Sequence, residues 1–294
     1  MRFGLYMNRF NFLTFQSECR CQSLKPGLKK LFSEVIGDNL LTPQFIPKGL
    51  KITKTLDLGV VYLAEIVDRD PDHLPSFLAN IGSNSVLIKI IYVGFHRQHY
   101  GSIVHCFLSE KDMAPMLYGA SSPVPQEFKE GAALETYIFM EYLPPPLDGK
   151  AGWITLHDLG VEHRSFTQKN KDKIVAAVND IVEELKTPGF VHGDLRTNNL
   201  MIYVVFRKKT CQLQLKDDGR LRIKVIDFNW SGRRNKVCYP TLRNSAVKWP
   251  GQDEMYISAD HDSEMVKLWA GEWPGVGIER TMPFLQIDRT DPDF

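Results

Sequence analysis

The sequence predicts an α+β fold in which a sheet-rich part precedes a mainly helical part. Apolar runs with strand-like spacing fill residues 50–93 and 135–143, and a long amphipathic helix pattern occupies residues 168–186. Three consecutive prolines, at 144–146, separate the two regions. Because proline cannot continue a strand ladder, we place the boundary between the two parts there. A chain of 294 residues is long enough to give each part its own core.

The overall composition excludes several classes of protein. A net charge of +1 provides no electrostatic field to attract nucleic acid or acidic lipid. No apolar run approaches the length needed to span a bilayer. The cysteines are odd in number and lack the spacing of zinc ligands, which predicts reduced thiols in an intracellular, cytoplasmic protein. They are Cys19, Cys21, Cys106, Cys211 and Cys238.

Residues 1–48 are predicted to form an extension that precedes the folded part. Arg2 and Arg9 with no acidic residue before Glu18 leave a transit peptide as one interpretation, although a continuous apolar segment is missing. The other interpretation is a helical extension lying against the first part. Pro47 then marks the break before the fold begins.

In the first part the apolar pattern predicts a hairpin of strands at 51–56 and 60–67, then strands at 85–93 and 135–143. Lys89 lies inside the apolar run of the third strand. A buried ammonium is costly unless an anion pairs with it, so Lys89 is a candidate functional cation. The alternative is an edge-strand lysine whose ammonium reaches the solvent.

Helices alternate with short strands in the rest of the chain. A helix with its exit is predicted at 99–117, and the best helix pattern, 168–186, ends before Pro188. Strands are predicted at 200–205, 212–215 and 221–228, with an extra hairpin between the first two. A last helix with an acidic first turn covers 260–269.

The stretch 190–202 carries the chemistry. It places His192, Asp194 and Asn199 between apolar flanks in the pattern H-x-D-x-x-x-x-N. A carboxylate that orients an attacking hydroxyl and an amide that holds a divalent ion are the groups that phosphoryl transfer needs. The alternative interpretation of this stretch alone is a capped turn with a satisfied, buried histidine.

A second block supplies the other metal ligand that such chemistry requires. The strand-like run at 221–228 contains Asp227, followed by Phe228 and Asn229. The two blocks together resemble the catalytic loop and the D-F-G segment of the protein kinase-like superfamily. His-Gly-Asp also resembles the form found in aminoglycoside and choline kinases, and V-I-D-F-N-W-S-G is similar to fungal protein kinase-like proteins.

The resemblance implies a bilobal protein kinase-like fold. It has a small antiparallel β-sheet lobe at 49–143 and a shortened, mainly helical second lobe at 144–294. It further implies ATP and Mg²⁺ as cofactors, a protein substrate, and no nucleic acid or membrane partner. In the second lobe Asp194 would orient and deprotonate the hydroxyl, and Arg196 would contact the γ-phosphate. Asn199 and Asp227 would hold the metal.

The same resemblance assigns the nucleotide site. Lys89 would bind the α- and β-phosphates, and Met140 would stand at the back of the adenine pocket. The backbone of Glu141 and Leu143 would face the adenine edge. Asp262 resembles the buried aspartate that anchors the catalytic loop.

Several positions depart from the kinase pattern. The first hairpin has only Gly59 and no G-x-G-x-x-G, and Leu87 stands where an alanine would face adenine. The regulatory helix has His105 in place of its glutamate, so Glu110 is the candidate partner of Lys89. Gly193 replaces the arginine that couples a phosphorylated activation segment to the catalytic loop, so we expect the cleft to assemble without phosphorylation.

Three functions therefore stay open. The first is a phosphotransferase that acts on a protein hydroxyl. The second is a small-molecule kinase, which would need an acidic or aromatic wall after Asn229 that is not evident in the sequence. The third is a catalytically inactive pseudokinase that serves as a binding module.

Overall fold

In the described residues, antiparallel sheets of five, four and two strands and a set of helices form a mixed α+β structure in the computed structural model. Residues 46–57, 60–93, 100–121, 134–207, 212–215, 221–241 and 243–274 are described. Nearly all of the predicted extension, 1–48, lies outside these residues, as does Gly59 in the predicted turn of the first hairpin.

The first sheet is five-stranded, with antiparallel pairing throughout and the order β1-β2-β3-β5-β4. The strand predictions for the first part are confirmed to within about two residues, whereas β4 was not predicted. Its short sequence, LYGAS, contains a glycine and carries little strand signal. The strands are β1 (Leu50–Asp57), β2 (Val61–Ile66), β3 (Ser85–Val93), β4 (Leu117–Ser121) and β5 (Leu134–Glu141).

Alternation along β3 separates the two faces of this sheet. Val86, Ile88 and Ile90 are buried in one cluster, which also includes Leu78 of the short helix α1 (Ser76–Ala79). Because successive strand residues point to opposite faces, Lys89 lies on the other face, which faces the site described below.

The predicted helix at 99–117 is shorter in the structure, where α2 spans Ser102–Glu110. Asp112 adopts a positive φ of 58°, a conformation that does not continue a right-handed helix. The chain then enters β4 at Leu117. His99 lies outside the described residues.

In its described residues the second part contains three α-helices and a four-stranded sheet. The helices are α3 (Leu156–Glu162), α4 (Arg164–Lys186) and α5 (Ala259–Glu272). The sheet has the order β10-β8-β6. Strand β10 pairs with residues 200–202 of β8, and β9 pairs with residues 204–207. The strands are β6 (Ala151–Thr155), β8 (Leu200–Arg207), β9 (Gln212–Leu215) and β10 (Ile223–Val225), and a separate pair is formed by β7 (Phe190–Val191) and β11 (Gly232–Arg233).

The predicted amphipathic helix is confirmed as α4, which begins four residues earlier than expected and ends at Lys186. One face is buried, at Ile174, Val178, Ile181, Val182 and Leu185. This face lies in the main core, next to the strands that flank the stretch 190–202. The helix therefore supports that stretch from beneath.

The strand and helix predictions in the second part need one correction. The extra β8–β9 hairpin and the last helix are confirmed, but the strand predicted at 221–228 covers only β10. The chain leaves the strand because Asp227 has a left-handed φ of 65°. Aspartate tolerates this region better than most residues, and such conformations cluster at functional sites.

Candidate active site

The loop that follows β7 is anchored from α5. Asp262 is buried and accepts hydrogen bonds from the backbone N–H groups of His192 (2.7 Å) and Gly193 (2.8 Å). This bears out the prediction that Asp262 anchors the loop. Burial raises the pKa of the Asp262 carboxyl to about 6, although the two N–H donors favour the charged form.

Glycine is required at position 193. Its φ is +83°, and a Cβ atom there would lie 2.7 Å from Cδ1 of Ile257. An arginine, the residue expected in a phosphorylation-switched kinase, would be strained in backbone and side chain alike.

Asp194 lies in this loop with both carboxylate oxygens engaged. Arg196 donates from Nε to Oδ1 (2.5 Å) and from Nη2 to Oδ2 (2.7 Å), a bidentate pair. Asn199, in a 3₁₀ turn at Thr197–Asn199, donates from Nδ2 to the Asp194 carbonyl (3.0 Å). Since the amide nitrogen is used for this bond, the amide oxygen is the atom of Asn199 suited to a metal.

Asp227 and Lys89 form one of the contacts between the two parts of the structure. Nζ of Lys89 lies 2.6 Å from Oδ1 of Asp227, and the side chains are 13% and 39% exposed. Burial among protein atoms alone would raise the pKa of Asp227, but the Lys89 ammonium beside it holds that pKa below its usual value. Glu110 is exposed at the last residue of α2, so the expected pairing of Lys89 with Glu110 is replaced by the pair with Asp227.

A buried histidine stands where the kinase pattern has a glutamate. The His105 ring stacks on Phe228, with centroids 4.3 Å apart and planes 6° apart. His105 Nε2 donates to the Pro115 carbonyl (2.7 Å), so Nδ1 accepts from the Tyr100 hydroxyl (2.6 Å). Burial lowers the pKa of His105 to about 4 and keeps the ring neutral. Helix α2 is thus fastened to the segment of Asp227 by stacking instead of by an ion pair.

The three residues expected around adenine lie at and just after the end of β5. Met140 is buried with Ile91 and Ile138, and Leu143 is also buried. The Glu141 N–H donates to the Met116 carbonyl (2.8 Å), so of the Glu141 backbone groups its carbonyl is the one suited to adenine.

Lys224 is a second buried lysine in a strand, and it is not among the predicted site residues. It is 4% exposed, and its Nζ lies 2.9 Å from Oε2 of Glu141 and 3.0 Å from Oδ1 of Asp112. Asp112 also pairs with Arg222 (3.1 Å). The pattern of a lone lysine in an apolar run, applied above to Lys89, marks Lys224 equally well.

The segment after Asn229 folds back on itself. Backbone bonds join Tyr239 to Met255 and Val237 to Ile257, and Arg243 pairs with Asp253 (2.7 Å). The fold brings together an aromatic cluster that is not evident in the sequence. It consists of Trp230, Tyr239 and Trp249, with ring centroids 5.2 to 6.2 Å apart.

The chemistry of the donor set fits a hard divalent ion. A backbone bond from Ile226 N to the Asn199 carbonyl (2.9 Å) holds the two candidate ligand segments side by side. One carboxylate and one amide oxygen, completed by phosphate oxygens and water, are a typical Mg²⁺ environment. In the described part of the chain there is no group of three or more His, Cys, Asp or Glu side chains poised for a metal.

Comparison with protein families and with curated proteins finds no relative of this chain. No protein family has a model that matches the chain, and no curated protein matches it significantly. None of the helices in the described ranges combines the length and the apolar character needed to cross a membrane. Function is therefore inferred from the residues of the site themselves.

Proposed function

We propose that this protein is an ATP- and Mg²⁺-dependent phosphotransferase of the protein kinase-like type, which transfers the γ-phosphate to a hydroxyl on a protein. In this proposal residues 49–143 form the small lobe and residues 144–294 the second lobe of a bilobal kinase-like fold. The active site lies where Lys89 of the first lobe meets Asp227 of the second.

The observation that carries the proposal is the 2.6 Å ion pair between Lys89 and Asp227. It brings a cation suited to phosphates next to a carboxylate suited to Mg²⁺. The backbone bond between Ile226 and Asn199 also supports the proposal, because it joins the residue before Asp227 to the loop that carries Asp194. Residues that the two motifs implied separately thus share one region of the structure.

Each group has a role that its surroundings support. Asn199 Oδ1 and the Asp227 carboxylate would hold Mg²⁺, which when bound neutralises charge on the phosphates. Lys89 donates to phosphate oxygens. Asp194 orients the acceptor hydroxyl and takes its proton, and Arg196, paired with that carboxylate, contacts the γ-phosphate. Catalysis then depends on positioning and charge stabilisation.

The adenine site follows from the end of β5. Met140 closes the back of the pocket. The Glu141 carbonyl and the Leu143 N–H provide one acceptor and one donor for the adenine edge. The Glu141 carboxylate accepts hydrogen bonds from Lys224 Nζ and from the backbone N–H of Met116. In this proposal it is therefore directed away from the nucleotide.

Two observations favour other functions. Both oxygens of Asp194 are engaged by Arg196, and α2 has no carboxylate on Lys89, which favours a pseudokinase that binds nucleotide without turnover. The partly buried Trp249 ring lies beside Arg196, and an aromatic side chain at this place after Asn229 favours a small-molecule kinase.

The test is thermal unfolding with ATP, with and without Mg²⁺, followed by transfer from γ-labelled ATP to protein and small-molecule acceptors. At a ligand concentration of 100 Kd, native-state binding contributes about 2.7 kcal/mol, which corresponds to a rise in Tm of roughly 4–5 °C for a chain of this length. No shift with ATP and Mg²⁺ would contradict the proposal. A shift without transfer would support the binding module, and transfer to small molecules alone would support the second alternative.

A further inference from the structure

Two guanidinium groups lie close to the Trp249 ring. Cζ of Arg196 is 4.7 Å from the centroid of the Trp249 ring, and Cζ of Arg243 is 5.1 Å from it. Both distances are within the range of cation–π attraction, which is strongest for tryptophan. The ring therefore contacts the catalytic loop through one arginine and the segment after Asn229 through the other.

The position of the ring is fixed by the segment. Trp249 Nε1 donates to the Asn244 carbonyl (2.9 Å), and the ring packs against Trp230. Arg243 is itself held by Asp253 and by the Gly251 carbonyl, which accepts from its Nη2 at 2.6 Å. The segment thus presents the Trp249 ring in one orientation.

The contacts of Arg196 include one with Asp194 and one with Trp249. Its donors reach the Asp194 carboxylate, and its guanidinium lies over Trp249. An arginine side chain has many rotamers. The flat ring restricts Arg196 to those in which both donors reach Asp194. The geometry of the Arg196–Asp194 pair therefore depends on the fold of the segment.

We propose that Trp249 is a positioning residue that holds Arg196 in register with Asp194 and so couples the segment to the catalytic loop. The part of this proposal that concerns turnover rests on the proposed function. In a phosphorylation-switched kinase, a phosphate on the segment binds an arginine of the loop. Here Gly193 occupies that arginine's position, and the aromatic ring makes the connection without a modification.

The first experiment follows the arginine directly, without any need for activity. In ¹⁵N-labelled protein the Arg196 Nε–H resonance is assigned by its loss in Arg196→Lys, and its exchange with solvent is measured. We expect exchange to become about tenfold faster in Trp249→Leu, since the cation–π contact is lost. Trp249→Phe keeps an aromatic face and should show a smaller change.

A matched control is Tyr203→Leu. It removes a cation–π contact of similar length, 4.9 Å to Arg222, in the β8 sheet and not beside Asp194. Exchange at Arg196 should not change in this variant. Unchanged Arg196 exchange in Trp249→Leu, with the variant shown to be folded by its thermal transition, would overturn the proposal.

The second experiment measures phosphoryl transfer. We expect Trp249→Leu to lower kcat about tenfold with the KM for ATP unchanged, and Trp249→Phe to restore most of the rate. A rise in KM for ATP at constant kcat would overturn the positioning role. If the wild-type protein transfers no phosphate, the proposed function fails, and the Arg196 exchange rate alone still decides whether Trp249 holds the arginine.

Discussion

Nζ of Lys89 and Oδ1 of Asp227 lie 2.6 Å apart although 138 positions separate the two residues in the chain. The pair spans the cleft between the β3 strand and the segment after β10. The carboxylate proposed to hold Mg²⁺ is therefore paired with the cation proposed to bind the phosphates. Nucleotide and Mg²⁺ would have to separate them, each taking one partner.

Asp227→Asn removes the charge that attracts the metal. We expect the ATP-dependent rise in Tm to become the same with and without Mg²⁺. The free protein should also lose on the order of 1–3 kcal/mol, because the Lys89 ammonium no longer has its carboxylate. Asp68→Asn is a control at an exposed carboxylate paired with His73, remote from the cleft. A magnesium-dependent shift that survives in Asp227→Asn would remove Asp227 from the metal site.

Asp194→Asn separates turnover from binding. The amide has the same size but cannot accept the hydroxyl proton, so phosphoryl transfer should fall by about 10²- to 10⁴-fold. The thermal shift with ATP and Mg²⁺ should persist, since the nucleotide contacts lie on other residues. Asp172→Asn, at an exposed position of α4, serves as the control. Equal transfer rates in Asp194→Asn and the wild type would exclude Asp194 as the base.

The elements that sequence could predict are those with a local signal. Helix α4 has one apolar face over about three turns, and β3 alternates between two environments, so their periodicity is visible without tertiary information. The loop of Asp194 and Asn199 was found because its polar residues stand between apolar flanks. The anchor at Asp262 followed from the resemblance.

Other features depend on contacts between distant segments. The sequence predicts Glu110 of α2 as the partner of Lys89. In the structure the backbone turn at Asp227 brings the Asp227 carboxylate to the lysine instead. Trp230 and Trp249 have no shared periodicity, and they meet only because the segment folds back on itself. Lys224 had the same pattern as Lys89, and nothing local distinguishes a lysine that joins two carboxylates from one that faces a cleft.

The buried His105 makes stability depend on pH. Its folded pKa of about 4 lies below the unfolded value of 6.5, so the unfolded chain binds the proton first as the pH falls. Its contribution is complete above about pH 6.5 and is lost as the pH drops towards 4. The loss amounts to about 3 kcal/mol. Asp262 has the opposite sign, because its pKa of about 6 is raised by burial and the folded protein binds its proton first.

His105→Gln isolates this effect, because glutamine keeps a donor and an acceptor but does not titrate. Urea unfolding at a series of pH values between 7 and 4 should give a flatter stability profile for the variant than for the wild type. The difference between the two curves cancels Asp262, which both proteins share. Parallel curves would show that His105 is not the titrating group.

Activity and ATP binding should not depend on phosphorylation of the segment. Contacts within the segment after Asn229 stabilise its conformation. They include the Arg243–Asp253 ion pair and a hydrogen bond from the Thr241 hydroxyl to Oε1 of Glu254 (2.8 Å). Protein from a eukaryotic host, with and without phosphatase treatment, should therefore give the same Tm shift with ATP and the same transfer rate. A large loss after dephosphorylation would mean that another cation takes the role expected of an arginine at position 193.

Gly193→Ala tests the backbone strain in the loop that carries Asp194. The left-handed φ of +83° costs an alanine roughly 1–2 kcal/mol. The added Cβ would also lie 2.7 Å from Cδ1 of Ile257, which must shift. We therefore expect a loss of about 1–3 kcal/mol in unfolding free energy. Gly82→Ala, where a Cβ meets nothing within 4 Å, is the matched control.

The two sources of strain can be separated with Ile257→Val, which removes the Cδ1 methyl group. In that background Gly193→Ala should cost less than in the wild type, because only the backbone component remains. The measurement is urea unfolding of the four proteins of the double-mutant cycle at one pH. If the cost of the alanine is the same in both backgrounds, the Ile257 contact contributes nothing, and the requirement for glycine comes from the backbone conformation that places His192 and Gly193 on Asp262.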